Sequence, residues 1–330
     1  MNRLTSSRER IERVLAGDRP DRVPVSLWRH FPVDDQTPEG LAKATLEFQQ
    51  RFQFDFIKVT PPSSFCLADW GVRDHWVGNT EGTREYIDRP VKKPEDWLKL
   101  QVLNPLQGRL GNQIKALKMI LKGSSKSTPV LQTVFSPLAQ AKNLVGPEEL
   151  IVHLRKDPER VHEGLKTITQ TTIQFIQEIQ KTGADGIFYA CQHARYNLLS
   201  RDEFYSFSRF YDLQVLEAAQ RMWFNMLHLH GEEVMFDEVT DYPVEVINWH
   251  DRHTYPDLGT GLQHFKGTVC GGLSRSEMMV LGTPESVTAE ALNAINATDG
   301  RRFILGTGCV LPIIAPLSNI LAARSAVEVN

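Results

Sequence analysis

Two histidines one residue apart, in Leu227-His228-Leu229-His230-Gly231, give this sequence its clearest chemical signal. Along a strand, successive side chains face opposite ways, so the two imidazoles share one face and the two leucines the other. A strand covered by helices needs apolar residues on its outer face, which sends the leucines outward and the histidines inward. Gly231 then lets the backbone turn sharply. Far along the chain, Cys309 follows Gly306-Thr307-Gly308, just past the last strand-like run. Two imidazoles and a thiolate, at bonds of roughly 2.0–2.3 Å, form a three-ligand zinc shell with the fourth position open. Short motifs match by chance, so the same residues also read as two hydrogen-bonded core histidines and an unrelated thiol.

Other reactive groups fall at the C-terminal ends of strand-like runs. Arg29 closes the first run and can clamp a carboxylate or phosphate with paired hydrogen bonds, or simply form a loop ion pair. Lys58 lies in an apolar run, and its aliphatic stem can carry the ammonium to the mouth. Gln192 and His193 follow the fourth run. His250 and Asp251 lie in Trp249-His250-Asp251-Arg252-His253, which can orient a metal ligand or form a salt-bridged turn. Cys270 is a spare thiol whose simpler role is packing. Arg29, His193 and Asp251 are the candidate catalytic residues, Arg29 and Gln192 the candidate cofactor contacts, and His228, His230 and Cys309 the candidate metal ligands. With His30 beside Arg29, half of the ten histidines gather at these ends, which random placement would not produce.

Eight β-branched or apolar runs can position these groups: 23–28, 54–60, 130–135, 186–190, 225–230, 244–249, 267–271 and 302–305. Amphipathic helical stretches separate most of them. Ser6 with Glu9, and Ser200 with Glu203, read as capping boxes. Thr37-Pro38-Glu39 and Thr283-Pro284-Glu285 read as N-caps followed by proline at the first helical position. Further helices are expected over 107–122, 137–143, 158–181 and from about 316. Residues 61–105 are irregular and polar, a long excursion without a core of its own. Alternating strands and helices imply parallel pairing with right-handed crossovers. The expected fold is α/β, a single (β/α)8 TIM barrel domain over 1–330, with active groups at the C-terminal strand ends. A doubly wound nucleotide-binding sheet has little support, since no GxGxxG follows the first run and no P-loop occurs.

The 330-residue composition agrees with a globular enzyme: 41% hydrophobic, 23% charged, net charge -3. No basic field exists to hold a nucleic-acid backbone. The longest apolar run, from Cys309 to Leu317, has nine residues and two prolines, against roughly 20 for a spanning helix. The charged N-terminus carries no apolar signal region, and the four scattered cysteines suit a reducing compartment, so a cytoplasmic location is expected.

From Arg8 to Val329 the chain resembles the uroporphyrinogen decarboxylase superfamily. The marks are Arg22-Val23-Pro24-Val25 leading to Arg29, Phe52-Gln53-Phe54-Asp55, Gly183-Ala184-Asp185-Gly186, Gly271-Gly272-Leu273, and Leu305-Gly306-Thr307-Gly308 with Pro312. The resemblance implies a (β/α)8 barrel. In the decarboxylase branch, Arg29 matches a family arginine. Pro62, Asn143, Gln192 and Thr307 fall where that branch has Asp, Tyr, Ser and His. Porphyrinogen decarboxylation is the weaker expectation, with a non-catalytic tetrapyrrole-binding barrel as a further alternative. The branch of methylcobamide:coenzyme M methyltransferases has a His-x-Cys-Gly motif and a later Cys as zinc ligands. Here His228-Leu229-His230-Gly231 and Cys309 occupy those places, with His as the middle ligand. This nearer branch implies metal-dependent methyl transfer, zinc as cofactor, a corrinoid co-substrate free or on a corrinoid protein, and a small-molecule donor or acceptor, with room for a homodimer. Two imidazoles and one thiolate leave zinc with a formal +1 charge, which lowers the pKa of a bound thiol or water but makes a bound thiolate a poorer nucleophile.

Overall fold

In the computed structural model, which describes residues 5–328, nine strands form two sheets. They are β1 (Ile57–Val59), β2 (Arg73–His75), β3 (Glu85–Asp88), β4 (Val130–Phe135), β5 (Gly186–Cys191), β6 (Met226–Leu229), β7 (Val246–Asn248), β8 (Thr268–Leu273) and β9 (Phe303–Thr307). Seven make one parallel sheet in the order β1-β4-β5-β6-β7-β8-β9, and β2 pairs antiparallel with β3. Helices follow most strands, as parallel crossovers require. The opening residues Met1–Leu4, part of the basis for the expected location, lie outside the described residues. No described helix is long and apolar enough to cross a membrane.

The sheet is covered on both faces, and the alternation along each strand assigns those faces. In β5, Ile187, Tyr189 and Cys191 join the outer core under the helices, whereas Phe188 and Ala190 join an inner cluster. In β6, Leu227 and Leu229 go outward and Met226 inward. The two clusters are therefore opposite faces of the same strands. Ile11 and Val14 of the helix Ser7–Leu15 close the inner cluster at the N-terminal strand ends, where Thr268 of β8 donates to the Val14 carbonyl at 3.1 Å. The long helix Pro158–Thr182 buries Val161, Leu165, Ile168 and Phe175 on one face and stops at Gly183 in a left-handed conformation.

The expected strand at 23–28 is not a strand but a single parallel bridge, Val25 to Leu305 of β9. The peptide nitrogen of Leu305 donates to Pro24 and that of Ser26 to Leu305, at 2.9 and 3.0 Å. Toward β1 the ladder is replaced by a side chain: Val25 N–H donates to the Asp55 carboxylate at 2.8 Å. Asp55 N–H returns a bond to the Val25 carbonyl at 2.9 Å. The segment thus ties the two edges of the sheet together without pairing as a strand.

Residues 61–105 depart from the irregular excursion read from the sequence. They contain the β2–β3 hairpin, and Phe65, Leu67, Val91 and Trp97 are buried in the outer core. Trp97 can lie on the helix Pro158–Thr182 because Gly164 faces it; a Cβ there would come within 2.6 Å of the indole. Two helices were not expected, Pro147–Lys156 and Leu258–His264. The helix beginning at Arg201 passes through a π-helical turn, Tyr205–Arg209, and ends at Ala219.

Candidate metal centre

His228 sits on β6 with its ring buried on the inner face, stacked on Phe188 at 5.3 Å between centroids. Its neighbour in register on β7 is Asn248. The Asn248 side-chain amide donates to the carbonyls of Cys270 and Thr307 at 2.9 and 3.1 Å. Those bonds fix which end is nitrogen, so Asn248 Oδ1 must be the acceptor facing His228 Nδ1, 2.7 Å away. Nδ1 therefore carries the proton and Nε2 keeps the lone pair a metal needs. Burial also lowers the pKa of His228, partly offset by Cys309, which favours the neutral ring.

His230 follows two residues on, where β6 has ended, with its Nδ1 3.5 Å from Cys309 Sγ. The loop after β9 carries Cys309 to this place. Thr307 donates to the Cys309 carbonyl at 2.6 Å. Gly308 is pressed on the chain after β7, so that a Cβ would lie 2.6 Å from His250 Cα. That close approach brings a fourth group, His250, to the other three. One ligand atom from each of His228, His230, His250 and Cys309 lies within 4.8 Å of the rest. The Cys309–His230 pair meets the roughly 3–4 Å between donors of tetrahedral zinc; 4.8 Å is wider. His250 Nε2 is buried with no hydrogen-bond partner among the described residues. An orphaned imidazole nitrogen, a lone pair aimed by Asn248 and a thiolate suit zinc. Burial opposes ionisation of Cys309, but His228 and His230 outweigh it and hold the thiol well below its ordinary pKa.

A cavity of about 130 Å³ opens beside these donors, lined also by Trp28, Lys58, Phe188, Glu81 and Gln192. Burial pulls the Lys58 ammonium down to about 7, with Cys309 opposing the shift. A larger groove of about 930 Å³ lies away from this centre, along the outer helices around His162 and Phe210. It has none of the candidate metal donors.

The remaining expected site residues separate. Gln192 lines the cavity and accepts from Lys142 Nζ at 3.2 Å. Arg29 does not line it. Trp28 and His30 both do, and Arg29, one residue out of phase, lies over the rings of Phe31 and Phe48 and donates to the Ile313 carbonyl at 3.2 Å. Asp251 also lies outside the cavity lining and receives the Gly272 N–H at 3.1 Å, so it supports a turn. Its burial raises it to about 7. His193 is buried outside the lining, with burial lowering its pKa to about 3. Sequence reasoning placed His250 only as an orienting group and did not find Asn248. The register signal, a polar residue on the strand beside His228, was present but not decisive. Asn248→Leu should weaken zinc binding about 10–100-fold, because His228 loses its fixed tautomer. A competition titration with a colorimetric chelator checks this, and unchanged affinity would show that Asn248 does not orient the ligand.

The curled parallel sheet carries a cluster of candidate metal donors at its C-terminal ends. The sequence profile of the uroporphyrinogen decarboxylase (URO-D) family matches residues 6–329, and the chain belongs to that family. Methylcobamide:CoM methyltransferase MtbA of Methanosarcina acetivorans is 22% identical, over 95% of this chain and 95% of its own. A methylated-thiol–coenzyme M methyltransferase of Methanosarcina mazei is 23% identical, over 98% and 89%. Among solved structures, a methyltransferase from Methanosarcina mazei superimposes with a TM-score of 0.87 at 19% identity, covering 98% of this chain and 99% of that one. A B12-independent methionine synthase from Shewanella sp. W3-18-1 gives 0.59 at 14% identity, covering 93% of each. Both structures show a shared fold.

Proposed function

We propose that this protein is a (β/α)8-barrel, metal-dependent methyltransferase that moves a methyl group between a corrinoid and a small molecule. The observation that carries this reading is the convergence of four metal donors beside a cavity of about 130 Å³. A bound zinc would act as a Lewis acid, lowering the pKa of a thiol or water that takes the place of one of the four donors or adds as a fifth ligand. The chain's own residues prepare that role. Asn248 aims His228, Gly308 brings His250 and Cys309 together, and Trp28 and Phe188 give the cavity an aromatic wall. At roughly 30 Å³ per water, the cavity holds the volume of about four waters, enough for a small molecule. A corrin ring cannot enter it and would have to present its methyl group at the opening. The relatives named as methylcobamide:CoM methyltransferases support the same reading.

Uroporphyrinogen decarboxylation fits less well. Pro62 offers no carboxylate, and the Thr307 hydroxyl is occupied by the Cys309 carbonyl. Protein purified without added metal should contain close to one zinc per chain by elemental analysis. It should also demethylate methylcobalamin in the presence of small thiols. X-ray absorption at the zinc edge should count one sulfur ligand without thiol and two with it. A metal-free protein whose thiol-dependent activity is indifferent to chelators would overturn the proposal. So would conversion of uroporphyrinogen to coproporphyrinogen, under anaerobic assay, at roughly 10⁻¹ s⁻¹ or faster.

A further inference from the structure

A separate cavity, of about 330 Å³, shares no lining residue with the one beside the metal donors. Two chain segments run between them. Pro61, Ser63 and Thr83 line the metal-side cavity, whereas Pro62, Ser64 and Arg84 line the other. Three buried polar atoms on this second lining have no hydrogen-bond partner among the described residues: Asp35 Oδ2, Arg84 Nε and Gln113 Oε1. All three side chains are more than nine-tenths buried. They come from three elements, the turn Asp34–Gln36, the chain entering β3 and the helix Gly108–Gly123. Unsatisfied buried polar atoms are rare, and three of them on one cavity point to an occupant.

The three atoms specify what would fit. Two are acceptors and one is a donor, so the occupant must donate at least twice and accept once. Charge narrows the choice. Arg84 is shared by Asp35 and Asp74, at 3.4 Å each, and gives its short bond, 2.7 Å, to the Pro32 carbonyl. Two carboxylates thus share one buried guanidinium, and neither contact is close. Burial raises the Asp35 carboxyl to about 6, against the opposing pull of Gln36 and Arg84. An ammonium group brings three N–H donors and the positive charge that this pair lacks. Arg84 Nε still needs an acceptor, and Arg73 and Arg109, both exposed, add positive charge to the same lining. A carboxylate suits that side. A neutral polyol would satisfy the hydrogen bonds but leave the charge uncompensated. At roughly 30 Å³ per water the cavity has the volume of about ten waters, room for a molecule with both charged groups on a short frame.

We propose that this second cavity binds a small α-amino acid, its ammonium group on Asp35 and Gln113 and its carboxylate on Arg84. The site stands on these residues and is independent of the metal-site reading above.

The test is calorimetric titration of the full-length protein with L-alanine and its two halves, ethylamine, which lacks the carboxylate, and propionate, which lacks the ammonium. Alanine should bind at least about tenfold more tightly than either half, since each missing end removes charge-assisted hydrogen bonds. Gln113→Met keeps the length of the side chain and takes away an oxygen that has no partner, so it should melt no lower than the wild type. It should weaken alanine binding about 10–100-fold, with zinc content unchanged. Asp35→Asn should weaken alanine and ethylamine without weakening propionate, and it decides the matter if Gln113→Met does not fold. Glycerol is the neutral arm and should bind far more weakly than alanine. Absence of alanine binding, equal binding of alanine and either half, or alanine binding that survives Gln113→Met would overturn the site. Glycerol binding as tightly as alanine would overturn it too, because hydrogen bonding alone would then fill the cavity.

Discussion

Cys309→Ser should cost more than a hundredfold in zinc affinity, beyond the roughly 10–100-fold typical of a lost outer partner. Cys309 is the one anionic donor in the cluster, and its thiolate is held well below the ordinary thiol pKa by the two imidazoles beside it. A serine hydroxyl at the same place is a neutral and poor zinc ligand. The fold should survive, since Cys309 lies in a loop after β9 and the strand ladder does not depend on its sulfur. The stability of the metal-free protein should therefore stay within about 1 kcal/mol of wild type. Cys270→Ser is the control. Cys270 is also buried on the inner face, but burial raises its pKa and it lies outside the donor cluster. Chelator competition on the two variants should separate them clearly. Equal affinities would mean that the imidazoles alone hold the ion, and the proposed ligand set would be wrong.

How far the sequence revealed this site depends on whether its geometry was local. His228 and His230 were legible because strand alternation is a property of adjacent residues, and Leu227 and Leu229 did turn outward. Cys309 was legible from its place after the last strand. His250 was not, because its approach depends on Gly308 of a distant loop pressing against the chain after β7. Arg29 lies outside the cavity lining. A place at the end of a run does not fix which face a side chain takes, and Arg29 is out of phase with the cavity-facing Trp28 and His30. Asp251 sits between histidines in sequence, yet its bonds run to Gly272 on β8. For the fold, seven of the eight expected runs became parallel strands. The exception, 23–28, has the apolar pattern of a strand, but a carboxylate replaces part of its ladder. That substitution leaves no trace in periodicity.

That carboxylate, Asp55, carries the second large effect. It is fully buried and accepts from Arg10 at 2.6 Å, from Arg22 at 2.7 and 3.1 Å, and from Val25 N–H at 2.8 Å. Asp55→Ala would remove the shared partner of two nearly buried guanidinium groups and the acceptor for a buried peptide N–H. Breaking a buried pair from one side costs about 3–5 kcal/mol. Arg10 keeps Asp21 at 2.8 Å and Arg22 keeps Glu328 at 2.9 Å, so the lower end, about 3 kcal/mol, is expected. Against a total stability of about 5–15 kcal/mol this is a large fraction, visible as a fall in the urea midpoint. Asp55→Asn, which can still accept one or two of these bonds, should lose less. The damage should also have a location. The segment from Pro24 to Ser26 links β9 to the chain entering β1, so hydrogen-exchange protection should drop first at Ser26 and Leu305. Trp28 lies two residues beyond that segment, and a loosened anchor would blur the cavity wall it forms. A loss below about 1 kcal/mol with unchanged protection at Ser26 would show that the backbone bonds alone, the Val25–Leu305 bridge on one side and Asp55 N–H to the Val25 carbonyl on the other, hold the two edges of the sheet.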